Sequence, residues 1–525
     1  MNRILNFFLR SAKGIFVAIQ VGVVVCIVLG CGFLVGDVFP VEHSMANATL
    51  ACIGIPAVVL IVLLFSFLAK MGQNGKPVFF KICGVIYAIG IFFLQIYVCK
   101  CIYFTTTWDV SIIHSAADAL ARECTMADWI AQCGTDWFAA GYYDSYPNNI
   151  FLTVILAGIK KFTYFLGFSD GYFACIVAGV ILVDISIFLI TLTVKRLTKD
   201  SRLMVLTLIL ATIFLGFNPW IIIPYSDTYA VLFTSIVMYL YCLETAGWKR
   251  YLQWFGIVVT SMVGTYIKPT VIIALMAIVI VELLHISKER IREFLLKGVI
   301  LVAAVIAVSA GISTLNRNIY KERDVAKQTT LYHYLMLGLN GETYGAYSGE
   351  DRAFSWGYSD PDERKKEQLR VVGERLQERG VIGSLDFYMK KILIVNKDGV
   401  FSWKWEGGFF GEYRGLQTEN AKKLQDFYYG ETNRSMYNVF QGFWITIQIL
   451  TALFAILYSW TDKKQAFLAI SLIGINLFLM LFEVRARYLI LYIPYYIVMA
   501  MVGVSLLRNL TRERKKDIIR WLNKN

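Results

Sequence analysis

Six charged residues in this sequence stand beside long hydrophobic runs and could carry out chemistry there. They are Asp109 in TTTWDVS, Asp144 in GYYDSYP, Asp227 in IPYSDTY, Lys268 in TYIKPT, and Arg485 and Arg487 in FEVRARYL. A carboxylate can take a proton from an acceptor hydroxyl, while Lys and Arg stabilise negative charge on a departing phosphate. These residue types therefore suit group transfer from a lipid phosphate.

Each of these residues also has a purely structural interpretation. An Asp at position 109 suits the N-cap of a following helix, and Asp227 suits the same place on another. Asp144 stands three residues before Pro147, a spacing typical of a turn. The three basic side chains are long enough to reach lipid headgroups from helix ends. Arginines are nevertheless unusual in an outer loop, so the Arg pair favours a functional site.

The composition excludes a soluble fold. Of the 525 residues, 57% are hydrophobic, and several hydrophobic runs are long enough to cross a bilayer as helices. A formal net charge of +13 would suit nucleic-acid binding, but the basic residues cluster in short segments between the hydrophobic runs, as the positive-inside rule expects. We therefore expect an all-α polytopic membrane protein without a nucleic-acid partner.

The hydrophobic runs predict about twelve transmembrane helices with both termini in the cytosol. The first connection, DVFPVEH, lacks Lys and Arg, whereas Lys70, Lys76 and Lys81 lie between the second and third runs. The positive-inside rule then places the chain after the third run outside. The predicted spans are about 14–36, 48–70, 79–103, 171–194, 203–218, 228–246, 251–267, 270–287, 294–315, 441–460, 465–482 and 488–507.

Two segments of the first outer loop should lie along the membrane surface. Residues 109–122 have apolar residues at 113, 116, 117, 120 and 121 and polar ones at 111, 115, 118 and 122, which is the pattern of an amphipathic helix. The run 150–166 contains Lys160 and Lys161, and two lysines at the bilayer centre would cost ~2.5–3.5 kcal/mol each. If this run crossed the membrane, Lys195, Arg196 and later basic loops would also fall outside. We therefore predict that 150–166 is juxtamembrane.

The segment 316–440 lies outside on this topology. It contains a predicted helix with Asp360 as N-cap, Pro361 at its first position and Gly380 as its stop. The segments on either side of this helix are rich in Gly, Tyr and Trp, which suits stacking on sugars, although interfacial anchoring explains the same aromatic residues.

The order of these features resembles the C-type (GT-C) integral-membrane glycosyltransferases, in particular the family-39-like group of protein O-mannosyltransferases and aminoarabinose transferases. The resemblance rests on TTTWDVS, SYPNNIFLTVILAGIKKFTYFLGFSD, TVKRLTKD, IIIPYSDTYAVLF, TYIKPT and EVRARYLILYIP, which occur in the family's order. It covers roughly residues 79–290 and 465–507. That family usually has an Asp-Glu pair at the first site, whereas Val110 follows Asp109 here. Whether Asp109 acts alone or shares the task with Asp144 therefore stays open.

The resemblance implies a donor and a set of roles. It implies inverting transfer from a polyprenyl-phosphate sugar to a glycopolymer, lipid or protein acceptor on the outer face of a plasma membrane, for which we favour a bacterial origin. Asp109 and Asp144 would be catalytic, and Lys268, Arg485 and Arg487 would bind the donor phosphate. We expect substrate contacts from Asp227, Tyr146 and Tyr488. The resemblance identifies no definite cofactor, and a divalent metal is left open.

The predicted organisation has four parts. Residues 1–78 form two additional N-terminal helices, and 79–315 form a GT-C-like core with its first outer loop at 104–170. Residues 316–440 form the outer segment, and 441–525 form the last helices and a basic cytosolic tail. Two other functions fit the same topology, namely a flippase or transporter for a lipid-linked sugar and a cell-surface polysaccharide polymerase. A transporter should show inverted repeats and broken helices, and no repeat is visible in the sequence.

Overall fold

A computed structural model describes residues 3–29, 45–57, 59–60, 77–134, 137–403, 410–430 and 434–522. The end of the first predicted span, the second half of span 48–70, and Lys70 and Lys76 lie outside the described residues. The described chain is a bundle of helices. This confirms the predicted all-α class.

The N-terminal half contains thirteen of the described α-helices. They are α1 (Arg3–Leu29), α2 (Asn47–Ala57), α3 (Pro77–Ile102), α4 (Trp108–Ala121), α5 (Met126–Gln132), α6 (Trp137–Ala140), α7 (Tyr142–Ser145), α8 (Asn149–Phe165), α9 (Gly171–Thr198), α10 (Ser201–Ala211), α11 (Ser226–Cys242), α12 (Lys249–Ile267) and α13 (Ile272–Leu284). A π-helical turn, Thr212–Gly216, extends α10, and short 3-10 turns occupy Pro219–Ile222 and Pro269–Val271.

The C-terminal half adds eight described α-helices and a small sheet. The helices are α14 (Ile291–Ile319), α15 (Leu331–Gly338), α16 (Gly349–Trp356), α17 (Pro361–Asn396), α18 (Glu419–Tyr429), α19 (Ser435–Leu457), α20 (Lys463–Leu481) and α21 (Ile493–Leu522). Further 3-10 turns occupy Lys288–Arg290, Val325–Lys327 and Ala486–Tyr492. Strand β1 (Phe104–Thr106) pairs antiparallel with β2 (Phe410–Tyr413), joining the segment 104–170 to the segment 316–440.

Within the described residues, seven helices are long and apolar enough to cross a bilayer. These candidate spans are Leu9–Leu29, Gly84–Ile102, Gly171–Thr198, Ile291–Ile319, Ser435–Leu457, Lys463–Leu481 and Ala486–Glu513. Three shorter apolar helices, Asn47–Ala57, Ser201–Gly216 and Pro269–Leu284, also coincide with predicted spans. The polytopic membrane character predicted from hydropathy is confirmed.

The two ends of the bundle differ in charge. One end gathers the basic loops and pairs them with acids from neighbouring helices, which ties α10–α14 to α20 and α21. These ion pairs are Arg250–Glu293 (2.5 Å), Lys297–Glu282 (2.9 Å), Lys463–Glu282 (3.1 Å), Lys464–Glu244 (2.7 Å) and Arg508–Asp200. We call this the basic end. Helices α4–α8 and the two strands lie at the other end.

Helix α8 packs on the amphipathic helix α4 through its two lysines. Lys160 is buried, donates to the carbonyl of His114 at 2.8 Å and lies 3.6 Å from Asp118. Lys161 pairs with Glu123 at 3.1 Å. Lys160 and Lys161, which would be costly to place inside a bilayer, therefore pair with α4 and with the turn that follows it. The apolar positions Ile113, Ala116 and Ala117 of α4 are buried, as its periodicity predicts.

The helix predicted after Asp360 is present. The Asp360 carboxylate accepts from the backbone N–H of Glu363 at 3.0 Å, and Pro361 occupies the first helical position. Gly380 has φ 60° and ψ −169°, so it interrupts α17 at the predicted stop. A second helical part then continues to Asn396, which the sequence did not predict.

Candidate functional site

A buried ion-pair triad lies at the end of the bundle opposite the basic end. Asp227 Oδ1 lies 2.5 Å from Lys268 Nζ, and Asp227 Oδ2 accepts from Arg487 Nη1 at 3.0 Å. The three side chains are 3%, 10% and 9% exposed, respectively. Charges this deeply buried need partners, because desolvation of a lone ion costs several kcal/mol.

Helix ends position all three members of the triad. Asp227 lies in the first turn of α11, where the helix dipole favours a negative charge. Lys268 follows α12 in an extended conformation, because Pro269 cannot continue the helix. Arg487 lies in the 3-10 turn that precedes α21. Three short connections thus converge on one point.

Aromatic rings surround the two cations of the triad. Lys268 Nζ lies 4.1 Å from the ring centroid of Tyr488. The Arg487 guanidinium carbon lies 5.4 Å from the Tyr488 centroid, 5.6 Å from that of Tyr225 and 6.0 Å from that of Trp220. Cations over ring faces are stabilised further when water is excluded. This cluster of side chains therefore combines positive charge with flat apolar surfaces.

Asp109 faces the same charges from α4. Burial raises the pKa of Asp109, the charge of Arg487 lowers it, Glu483 raises it, and Arg352 and Arg485 lower it. Asp109 as a whole residue has an intermediate exposure. A carboxyl whose pKa is raised by burial inside a cluster of cations is a candidate for proton transfer.

Asp109 is not the N-cap of α4. Thr107 occupies that position, and Asp109 is the second residue of the helix. The preceding residue, Trp108, has φ 58°, a left-handed conformation that a bulky side chain rarely adopts. Such strain costs of order 1–3 kcal/mol and is concentrated at functional sites. The backbone here is bent at the residue before the acid.

Tyrosines complete the surroundings of Asp109. Burial raises the pKa of Tyr146 to about 12, and the charges of Arg352 and Asp109 also act on it. Burial likewise raises the pKa of Tyr142 and Tyr334, with a smaller contribution from Asp109. These phenols therefore stay neutral at ordinary pH and can donate hydrogen bonds.

Seven of the eight predicted site residues fall in this neighbourhood: Asp109, Asp227, Lys268, Arg485, Arg487, Tyr146 and Tyr488. Asp144 is engaged elsewhere. Its Oδ1 accepts from the hydroxyl of Tyr320 and the backbone N–H of Asp324, both at 2.9 Å. The carboxylate thus attaches the start of the segment 316–440 to α7. Its assisting catalytic role stays a prediction.

Sequence reasoning missed two charged residues of the site. Glu483 lies 3.4 Å from Arg485 Nε and accepts from the Tyr488 hydroxyl at 3.4 Å. Arg352, from α16, stacks on Trp356 at 3.9 Å from the ring centroid and donates to the Tyr347 hydroxyl at 3.2 Å. Arg352 stands in an aromatic, Gly-rich stretch. Of the predicted site residues, only Lys268 is within 100 residues of it, so no local sequence pattern indicates that Arg352 belongs to the site.

One comparison with known proteins identifies a family. A family described as "Conserved hypothetical integral membrane protein" matches residues 4–506. The chain belongs to this family. The comparisons with curated proteins and with solved structures gave no match. Membership agrees with the membrane character of the fold, and the glycosyltransferase resemblance stays a prediction.

The charged groups of this candidate site leave a small excess of positive charge. Among the described residues, no group of three His, Cys, Asp or Glu side chains is arranged to hold a metal ion. Two cations already neutralise Asp227, so its oxygens offer little to a further cation. With Asp109 ionised, four basic residues face three carboxylates, which leaves one net positive charge. A phosphate or another anion fits that balance.

Proposed function

We propose that the chain is a membrane glycosyltransferase that moves a sugar from a polyprenyl-phosphate donor to an acceptor hydroxyl on the outer face of the membrane. The observation that carries the proposal is the half-buried Asp109 beside the buried triad of Asp227, Lys268 and Arg487. An acid and anion-binding cations thus meet at the end of a transmembrane bundle.

The proposed topology has twelve spans with both termini in the cytosol and the segment 316–440 outside. The charge difference between the two ends supports it. The basic end contains Lys249, Arg250, Lys463, Lys464 and Arg508, and the positive-inside rule makes that end cytosolic. The triad then faces the outer leaflet, where a lipid-linked sugar can approach laterally.

In the proposed reaction, an acceptor hydroxyl oxygen attacks the anomeric carbon of the donor. The bond from that carbon to the phosphate oxygen breaks on the opposite side, and the electron pair leaves with the polyprenyl phosphate. Asp109 takes the hydroxyl proton as general base. A raised pKa brings this carboxylate closer to the proton affinity that such a base needs.

The departing phosphate gains one negative charge, and the cations stabilise it. Arg487 and Lys268 are held by Asp227 and are largely buried, and electrostatic stabilisation at a buried site exceeds that in water. Arg485 adds a third cation beside them. Tyr488 and Tyr146 provide flat surfaces and hydroxyl groups that suit a sugar ring.

A donor comparison with purified protein in nanodiscs tests this function. We expect release of polyprenyl phosphate from a polyprenyl-phosphate monosaccharide in the presence of membrane acceptor extract. Turnover only with a lipid-linked oligosaccharide would instead identify a polysaccharide polymerase. Movement of intact donor between leaflets of proteoliposomes, without cleavage, would identify a flippase. Either of these results would overturn the proposal.

A further inference from the structure

An acid stands at the middle of a candidate transmembrane helix, apart from the triad. Asp184 is the fourteenth of the 28 residues of α9, so about 20 Å of helix separates it from either end. The hydrocarbon core of a bilayer is ~30 Å thick. An ionised carboxylate at this depth is unfavourable, and acids found there are paired or carry a function.

Gln95 of α3 is the polar partner of Asp184. It belongs to the candidate span Gly84–Ile102 and is completely buried. Gln95 Nε2 donates to Asp184 Oδ1 at 3.0 Å and to the carbonyl of Gly216 at 3.2 Å. The Gly216 carbonyl can only accept a hydrogen bond, so it determines which end of the Gln95 amide is the NH₂ group.

The end of α10 is shaped around this amide. The helix passes into the π-helical turn Thr212–Gly216, and π-helical turns are rare and frequent at functional sites. A Cβ atom at position 216 would lie 2.5 Å from Gln95 Nε2 and 3.5 Å from Ile187 Cδ1. Glycine therefore allows the close approach that brings the Gln95 amide between Gly216 and Asp184.

No positive charge pairs with Asp184 within the described ranges of the chain. Its carboxyl group is influenced by burial and by Gln95, and the titratable group beside it is the Cys99 thiol of α3, which carries no positive charge. Gln95 Oε1 is buried and has no hydrogen-bond donor among the same residues. An ionised Asp184 would thus leave a carboxylate without a cation beside an amide oxygen without a donor, and both are costly when buried.

We propose that Asp184 and Gln95 form a proton-binding site inside the membrane, in which Asp184 is a neutral carboxylic acid. The acid proton on Oδ2 is donated to Gln95 Oε1, while Gln95 Nε2 donates to Oδ1. This two-point pairing supplies the amide oxygen with its missing donor and removes the charge from the bilayer. The site shares no residue with the triad and does not depend on the proposed sugar transfer.

Infrared difference spectroscopy of the full chain in nanodiscs at neutral pH tests the proposal. A neutral carboxylic acid has a C=O stretching band that a carboxylate lacks. We expect Asp184→Asn to lose one such acid band relative to the wild type. Asp118→Asn is the matched control, because Asp118 pairs with Arg122 at 3.0 Å and with Lys160 at 3.6 Å. It should lose only carboxylate absorption.

Gln95→Leu provides a second test, which keeps the acid itself and decides the question even if Asp184→Asn fails to fold. Loss of both hydrogen bonds to Gln95 should move the acid band to higher frequency without removing it. An acid band that Gln95→Leu leaves unshifted would overturn the pairing. An acid region that changes in neither variant, or a loss of carboxylate absorption in Asp184→Asn, would show that Asp184 is ionised and would overturn the proposal.

Discussion

Removal of the Asp227 charge should destabilise the protein strongly. Asp227→Asn keeps the size of the side chain but leaves Lys268 and Arg487 without their anion, at exposures of 10% and 9%. Breaking a buried ion pair by removing one partner typically costs ~3–5 kcal/mol, because an uncompensated charge remains buried. We expect a loss in this range.

The control and the rescue follow from the same geometry. Glu374→Gln removes a pair of the same 2.5 Å length, Arg370–Glu374, whose side chains are both 50% exposed, and we expect no measurable change. The double variant Asp227→Asn with Lys268→Met removes one of the unpaired cations. It should be more stable than Asp227→Asn alone, and a double-mutant cycle measures the coupling.

Reversible unfolding in mixed micelles provides the free energies of unfolding for these variants. Added polyprenyl phosphate should raise the unfolding midpoint of Asp227→Asn more than that of the wild type, because the phosphate replaces the missing anion. An effect of Asp227→Asn no larger than that of Glu374→Gln would refute the reasoning that the triad is a dry, coupled cluster.

Three further perturbations test the charges and tethers around the site. Arg352→Gln should move the acid limb of the pH–rate profile to higher pH, because the charge of Arg352 lowers the pKa of Asp109. Arg352→Lys keeps the charge and should leave the limb unchanged. A limb that does not move in Arg352→Gln would contradict this effect of the charge. Burial lowers the pKa of Lys391 from 10.5 to about 7, so between these pH values the unfolded chain binds one more proton than the folded chain. The wild type should therefore gain stability relative to Lys391→Met as the pH rises from about 7 toward 10.5, and unfolding at several pH values measures this. A constant difference between the two proteins would contradict the expectation. Asp144→Ala should cost ~1.5–3 kcal/mol of stability for each hydrogen bond lost from Tyr320 and Asp324. Asp144→Asn can still accept both bonds, so it should keep most of the stability and the activity. If Asp144→Asn lost sugar transfer at wild-type stability, a catalytic role would be supported instead.

Local signals in the sequence predicted the elements that depend on short-range chemistry. The periodicity of 109–122 predicted which face of α4 is buried, and Asp360 with Pro361 predicted the start of α17. Lys160 and Lys161 argued against a transmembrane course for 150–166, and both contact residues on or just after α4 in the structure. The juxtamembrane placement itself stays a prediction. Each of these signals acts within a few residues of the chain.

Long-range packing explains what the sequence did not predict. The stretch after Gly380 contains Asp386, Lys390 and Lys391, which lower its mean hydropathy. The sequence therefore has no hydrophobic run there that would predict its packing against the bundle. The three carbonyls that receive Lys391 come from distant parts of the chain. Arg352 reaches the site, and Asp144 is engaged away from it, for the same reason. The folding of the segment 316–440 determines both positions, and no periodic pattern encodes it.

We propose that Asp109 takes the proton of the acceptor hydroxyl during sugar transfer from a lipid phosphate. The most direct test is release of polyprenyl phosphate in a single turnover by the wild type and by Asp109→Asn, with donor binding measured in parallel. General base catalysis typically contributes ~10²–10⁴-fold, so the variant should lose activity in that range while its donor affinity and stability stay near those of the wild type. A turnover rate of Asp109→Asn within a few fold of the wild-type rate would contradict the account.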